Sequence, residues 1–295
     1  MRSIITFVLV SVCLWSKSSA DTTDLNYADS LLKSGALKEA SLAYEGIIYN
    51  NPADTLLHVT ALLHKTECLK QQGLFDRIEP MLRRVSTTNL NDSLKFVLLY
   101  EKSLGCYLSE KFDKAEQLLL PVFNIEINSA QLHASKILYS LILNEMGRWM
   151  EASSLLTGTI SSDTTLTEDE KQKGLTMVAD IYIKKNMPVL RSIKKARTLS
   201  LLFPGLGQLY NGNTGTAALS FTFVSLSGLY IAYNIINTTY LTAATSGVYL
   251  FLYFYFGGAN QANVLVPQKN YNKKTNYNNY LRKSLVTLNN ELYSK

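Results

Sequence analysis

The sequence predicts an all-α protein: a helical-hairpin solenoid followed by a two-helix transmembrane hairpin. Three observations carry that prediction. A turn-and-helix pattern returns with a period near 37 through the first half of the chain. Residues 198–268, a run of 71, hold no charged side chain. Basic residues bracket that run on both sides, with almost no acid among them. The expected division is a signal peptide over 1–20, a repeat domain with a capping helix over 21–187, and a basic interfacial helix with a Pro/Gly elbow over 188–215. A two-pass hairpin over 216–261 and a basic tail over 262–295 complete it.

The net charge of +6 on 295 residues conceals this layout. Residues 21–183 carry 15 Lys/Arg against 22 Asp/Glu, whereas 184–197 carry six bases and no acid. The tail, 269–295, carries six bases against Glu291 alone. A nucleic-acid binder spreads its bases over a folded face. Here they flank an uncharged stretch, which points to a membrane and away from nucleic acid. At the N-terminus, Arg2, the apolar run "IITFVLVSVCLW" and Ser18-Ser19-Ala20 have the order of a cleaved secretory signal. Beyond it, Cys68 and Cys106 fall on apolar helix faces and are expected as buried thiols.

The repeat is read by aligning "SGALKEASLAYEGII", "QGLFDRIEPMLRRV", "SEKFDKAEQLLLPVF" and "MGRWMEASSLLTGTI". Each begins with a turn and an apolar or aromatic residue: Leu37, Phe75, Phe112 or Trp149. Three residues later stands Ala40, Ile78, Ala115 or Ala152, a column spaced 38, 37 and 37 apart. Four further on come Tyr44, Leu82, Leu119 and Leu156. The segments upstream have helical periodicity too, so each unit is expected to be two antiparallel helices around a tight turn. Small residues let the helices approach, and the aromatic and leucine columns fill the gap. This pattern resembles the tetratricopeptide repeat over about residues 24–160. Gly35, Ala40, Tyr44 and Pro52 match that consensus in the first unit, and Gly147, Trp149 and Ala152 in the fourth. Units two and three depart from it: Ile78 replaces the small residue, Pro80 interrupts a helix start, and Glu110 takes the glycine position. A capping helix follows, opened by Thr167 with Glu170 three residues on. Its Leu175, Val178 and Ile181 are expected to cover the end of the last repeat.

Next comes "SLLFPGLGQLYNGNTG", residues 200–215. Residues 192–203 read as a short helix, basic early and apolar late, suited to the headgroup boundary. Lys194, Lys195 and Arg197 are expected on anionic lipid, each contributing about 1 kcal/mol. Pro204 and Gly205 break this helix, Gly207 and Gly212 are expected to let the backbone reverse, and Asn213 or Thr214 to cap the next helix. Two windows of spanning length follow, 216–236 and 241–261, joined by "NTTY". Small pairs, Gly228 with Ala232 and Ala243 with Gly247, are expected between the spans, and Tyr210, Tyr233 and Tyr240 near the interfaces. The tail starts with an Asn-rich linker. It ends in an amphipathic helix with Leu281, Leu285, Leu288 and Leu292 on one side, to lie on the membrane or the repeats, or to bind a partner.

"FPGLGQLYNG" is similar to the Pro-Gly-x-Gly-Gln-x-Tyr-x-Gly signature of an uncharacterised bacterial two-pass membrane family. Pro204, Gly205, Gly207, Gln208, Tyr210 and Gly212 carry the likeness, over about residues 190–275. It implies membrane residence and transfers no catalytic residue. The combination of signal, repeats and this module is similar to envelope proteins of Bacteroidota.

Bases on both outer flanks place both flanks in the cytoplasm by the positive-inside rule, whereas the signal peptide places the repeats outside. With two crossings both cannot hold, and fifteen residues containing Pro-Gly are short for a third pass. Export is preferred, because long domains translocate largely regardless of charge. The expected location is a bacterial inner membrane, multi-pass, with the repeats on the periplasmic side. No motif of a hydrolase, phosphate loop, metal or dinucleotide site is present, and His58, His64 and His133 lack metal spacing. No enzyme activity and no cofactor are expected. The sequence leaves two functions: a membrane-anchored interaction scaffold binding a protein or peptide through the repeats, or an assembly subunit of an envelope complex, oligomerising through its hairpin. Its partners are therefore a protein or peptide of unknown identity, membrane lipid and a second copy of the chain.

Overall fold

The computed structural model describes residues 22–51, 54–87 and 90–293, so the expected signal peptide and Pro52 lie outside the described residues. Every regular element among them is helical. The chain forms two compact units: residues up to Ile183 together with those from Leu281 onward, and Lys184–Tyr280.

The first unit contains α1 (Thr22–Lys33), α2 (Leu37–Asn50), α3 (Thr55–Gln71), α4 (Ile78–Leu82, after a 3-10 turn), α5 (Asp92–Leu108), α6 (Phe112–Leu119), α7 (Ser129–Met146), α8 (Trp149–Ser162) and α9 (Glu168–Ile181). Each helix packs on the next, and α1, α3, α5 and α7 also touch in succession. The same turn joins four of these pairs. Gly35, Gly73, Glu110 and Gly147 all take positive φ, between 62° and 81°. At each, that residue's N–H reaches back three residues and the following N–H reaches back five, as in Gly35 to Leu32 and Ala36 to Leu31. A left-handed residue closes a helix without orphaning its last carbonyls, which is why glycine recurs there. Glu110 accepts the strain of that conformation.

The columns read from sequence form the interior. Ala40, Ala115, Ala152, Tyr44, Leu82, Leu119 and Leu156 are buried, while Leu37, Phe75, Phe112 and Trp149 are half-buried at the edge. The exception in the small column has a counterpart. A Cβ on Gly105 of α5 would stand 2.7 Å from Ile78, so the volume Ile78 adds is removed from the facing helix. Pro80 leaves α4 only five residues long. Thr167 and Glu170 form the expected capping box at α9, and Asn128 with Gln131 forms another at α7. Cys68 and Cys106 are buried free thiols.

In the second unit, α10 (Ile193–Leu202), α11 (Leu206–Tyr210) and α12 (Thr214–Ile236) follow one another. A helical turn at Tyr240–Thr242, a π-helical turn at Ala243–Gly247 and α13 (Val248–Asn260) come next, and α14 (Ala262–Tyr293) ends the chain. Among the described residues one helix, Thr214–Ile236, is long and apolar enough to cross a membrane. The window 241–261 differs from the single helix expected, because the π turn divides it. It packs on α12, where a Cβ on Gly247 would stand 2.8 Å from Ile231. Gly228 and Ala232 correct the expected packing: Gly228 faces open space and Ala232 is exposed. The face turned inward is Ala217, Val224, Ser227 and Asn234.

The Asn-rich segment expected as a linker is helical, within α14. Asn270 holds it there: its amide oxygen accepts from the Arg191 N–H at 2.9 Å and its amide nitrogen donates to the Arg191 carbonyl at 2.8 Å, overriding weak helix propensity. The last turns of α14 belong to the first unit. Leu281, Leu285, Leu288 and Leu292 are buried there. Around them Arg282 pairs with Glu145 at 2.5 Å, Lys173 with Glu291 at 2.7 Å, and the Tyr293 hydroxyl donates to Asp163 at 2.8 Å. Of the placements the sequence left open for this amphipathic stretch, the one observed is against the helices of the first unit.

Candidate functional site

The elbow, 203–213, is built residue by residue from the motif. Pro204 cannot donate a backbone hydrogen bond, and α10 ends before it. Gly205 turns the chain at φ +93°, and a Cβ there would stand 2.6 Å from the Ala217 carbonyl oxygen. Gly207 does not reverse the backbone as expected; it lies inside α11. Its role is close approach, since a Cβ would collide with the Ala196 carbonyl and the Ser200 hydroxyl. Gln208, 2 % exposed, is the hub. Its oxygen accepts from the Ser200 hydroxyl at 3.1 Å, and its amide donates to the Gly258 carbonyl at 2.8 Å and to Gln261 at 3.2 Å. One buried amide thus joins α10, α11 and the end of α13 with its polar atoms satisfied.

Tyr210 closes the elbow. Its ring lies under two cations, Arg191 with Cζ at 5.6 Å and Lys195 with Nζ at 5.4 Å from the centroid. Gly212, at φ +76°, repeats the turn of the first unit, its N–H bonding Leu209 and that of Asn213 bonding Gln208. Asn213 stands at the start of α12 but makes no side-chain cap bond. Lys194, Lys195 and Arg197 are exposed, with Ala196 and Ser200 beneath them. Sequence reasoning missed Arg191 and Asn270, because their partners lie some 20 to 80 positions away. A base on the near side of the elbow, opposite an amide in a charge-bracketed tail, was the only available signal.

In the first unit polar clusters stiffen the packing. Asp29 accepts from the Tyr44 hydroxyl at 2.6 Å and meets His64 Nδ1 at 2.7 Å. Cys68 lies one turn beyond His64, an order that invites a nucleophilic reading. Burial pushes its thiol up to about 11, so at neutral pH it is a thiol and not a thiolate. Burial pulls the Lys70 ammonium down, but Glu101 and Glu67 outweigh it and hold the pKa above its ordinary value. Glu79 is held down to about 2, first by the Arg83 hydrogen bond and, against the opposing effect of burial, by Lys114. Trp149 donates its indole N–H to the Asn144 carbonyl at 3.1 Å. Among the described residues no three His, Cys, Asp or Glu side chains group as a metal site.

No protein-family model, curated protein or solved structure matches this chain. The elbow and the two kinds of interior are therefore what a functional reading rests on.

Proposed function

We propose that the protein is a membrane-anchored, non-catalytic interaction scaffold. Its tetratricopeptide-like solenoid presents a helical surface beside the bilayer, and a two-pass hairpin over 214–260 anchors it. The observation that carries this reading is the inverted burial of the second unit. On α12 the inward residues are Ala217, Val224, Ser227 and Asn234, while Leu219, Phe221, Phe223, Leu226, Leu229 and Ile236 face out. The adjoining segment likewise exposes Leu241, Tyr249, Leu252, Tyr253 and Phe256. Water does not tolerate so continuous an apolar belt, and lipid does. The two buried polar residues of α12 bond within their own helix, as hydrocarbon requires: Ser227 donates to the Val224 carbonyl and Asn234 to that of Tyr230. The elbow, locked by Gln208, would fix the angle at which a surface-lying α10 becomes a crossing α12. Export of the repeats and residence in a bacterial inner membrane belong to the same proposal.

Flotation of the full chain with phosphatidylcholine vesicles tests it, followed by an alkaline carbonate wash. Retention in the vesicle fraction is expected. A chain that stays monomeric and clear in buffer without detergent would overturn the reading. Protease treatment of intact spheroplasts tests the side, with digestion of the repeats as the expected result.

A further inference from the structure

We infer that the base of the elbow is a binding site for a phosphate group, held between Arg191 and Lys269 over Gly212. As a lipid headgroup site this rests on the membrane reading above; as an anion site it stands without it. The first observation is convergence of like charge. A carbon added at Gly212 would stand 3.0 Å from Lys269 Nζ and 3.4 Å and 3.7 Å from the two terminal nitrogens of Arg191. Both cations thus border one point, within about 7 Å of each other, where they repel unless an anion lies between. Lys195, sharing the Tyr210 ring with Arg191, adds a third positive charge. The second unit, Lys184–Tyr280, contains no Asp or Glu at all, so it holds no carboxylate to neutralise them.

The second observation is independent of charge. Asn211 is 1 % exposed, and neither polar atom of its side chain has a hydrogen-bond partner; Arg191 Nη1 is likewise buried and without one. Buried polar groups are almost always paired, because an unpaired one loses its bonds to water without replacement. Asn211 Nδ2 and Arg191 Nη1 are donors in want of an acceptor, one in the residue before Gly212 and one beside it, while Asn211 Oδ1 has room for the hydroxyl of a protonated phosphate or of a glycerol headgroup. Lys269 is already anchored there, donating to the Asn211 carbonyl at 2.7 Å. Gly212 supplies the gap: its missing side chain keeps the space between the two cations open. A guanidinium fork, an ammonium and an amide together match the oxygens of a phosphate, and three bases around it repel the choline cation that accompanies the phosphate in phosphatidylcholine.

The test uses the full chain in a non-ionic detergent and reads bound lipid by native mass spectrometry during titration with phosphatidylglycerol or phosphatidylcholine. Preference for phosphatidylglycerol is expected, with at least a tenfold loss in the double variant Arg191→Gln, Lys269→Gln. The double variant Lys184→Gln, Lys185→Gln removes the same charge from exposed positions of the same unit and should change affinity less than twofold. Equal losses in the two doubles would overturn the site in favour of diffuse attraction, and so would a parent chain without preference. Inorganic phosphate at fixed ionic strength identifies the source. If it protects the parent but not the first double against heat, the site takes free phosphate; if only lipid does so, it takes a headgroup. Asn211→Leu guards against mere misfolding: it should raise stability without ligand and weaken phosphate-dependent protection, whereas a purely structural Asn211 would give a loss in both. Flotation is scored separately, so a chain that enters vesicles but lacks the preference sinks only the site.

Discussion

The two units of this chain use one turn and opposite rules of burial. Gly35, Gly73, Glu110 and Gly147 in the first unit, and Gly212 and Thr238 in the second, all take positive φ with the same pair of backward hydrogen bonds. What lies between the turns is inverted. The first unit buries Tyr44, Leu62, Leu119 and Leu156 and pairs its charges at the rim, as Arg148 does with Glu116 and Glu151. The second buries Ala217, Gly207, Ser227 and Gln208 and turns Leu219, Phe221, Leu229, Leu241 and Tyr253 outward. Backbone geometry is thus indifferent to the solvent, because every helix must close its last carbonyls. Side-chain sorting is not: under the membrane reading proposed above it follows the medium in which apolar groups cost least.

Exchanging the burial rules gives the largest expected effect. Leu119→Ala should destabilise the first unit by about 2–5 kcal/mol, read from its denaturation midpoint. Leu226→Ala, the same chemistry on the outer face of α12, should shift stability by less than about 0.5 kcal/mol. Leu226→Asp should instead weaken membrane retention, by about 2.5–3.5 kcal/mol at a central position, seen as release into the carbonate wash. Similar folding penalties for the two alanine variants would break the comparison.

The next effect sharpens it inside the second unit. Gln208→Leu keeps volume but removes the amide that joins Ser200, Gly258 and Gln261. It should cost about 1–3 kcal/mol, measured by unfolding in mixed micelles. In the first unit Ser103→Ala, which deletes one bond to the Ala115 carbonyl, should cost about 1 kcal/mol. A Gln208→Leu variant as stable as the parent would show that packing alone holds the elbow.

Acid should separate the units further. Glu79 has a folded pKa of about 2, below its unfolded value, with the Arg83 hydrogen bond as the main cause. Its contribution is complete above about pH 4.3 and is lost as the pH falls toward 2, at a cost of about 1–2 kcal/mol after solvent screening of Arg83 and Lys114. Glu79→Gln should flatten that part of the profile. The second unit, having no carboxylate, should unfold at the same denaturant strength across this window.

Legibility differed between the units for a physical reason. Hydrophobic periodicity identified Ala40, Tyr44, Ala115 and Leu119 as interior because water forces one face of each helix inward. On α12 both faces are apolar, so the small-residue spacing of Gly228 and Ala232 was indistinguishable from that of the true inner face, Ala217, Val224 and Ser227. The π turn that interrupts the segment after α12 leaves no mark in composition. Gly207 is legible as a motif residue but not as a contact, since sequence does not distinguish a glycine needed for φ from one needed for proximity. The tail leucines were legible as a face, but what covers them was settled by Glu145, Asp163 and Lys173, far away in the chain.

The smallest expected effect tests the shared turn itself. Glu110 and Thr238 are the two non-glycine residues at positive φ among the described residues, both at 62°, one in each unit. Each carries a Cβ that crowds the neighbouring carbonyl in the left-handed region, and Thr238 is branched there as well. Glu110→Gly should therefore stabilise the first unit by about 0.5–1 kcal/mol, net of the greater freedom glycine gains when unfolded. Thr238→Gly should gain about 1 kcal/mol, reduced by the loss of its hydroxyl bond to the Asn237 carbonyl. Gains of similar size in water and in micelles are expected if the strain is local to the backbone. A gain at Glu110 with a loss at Thr238 would mean that the second turn is held by its surroundings, and that the two units share a shape without sharing its cause.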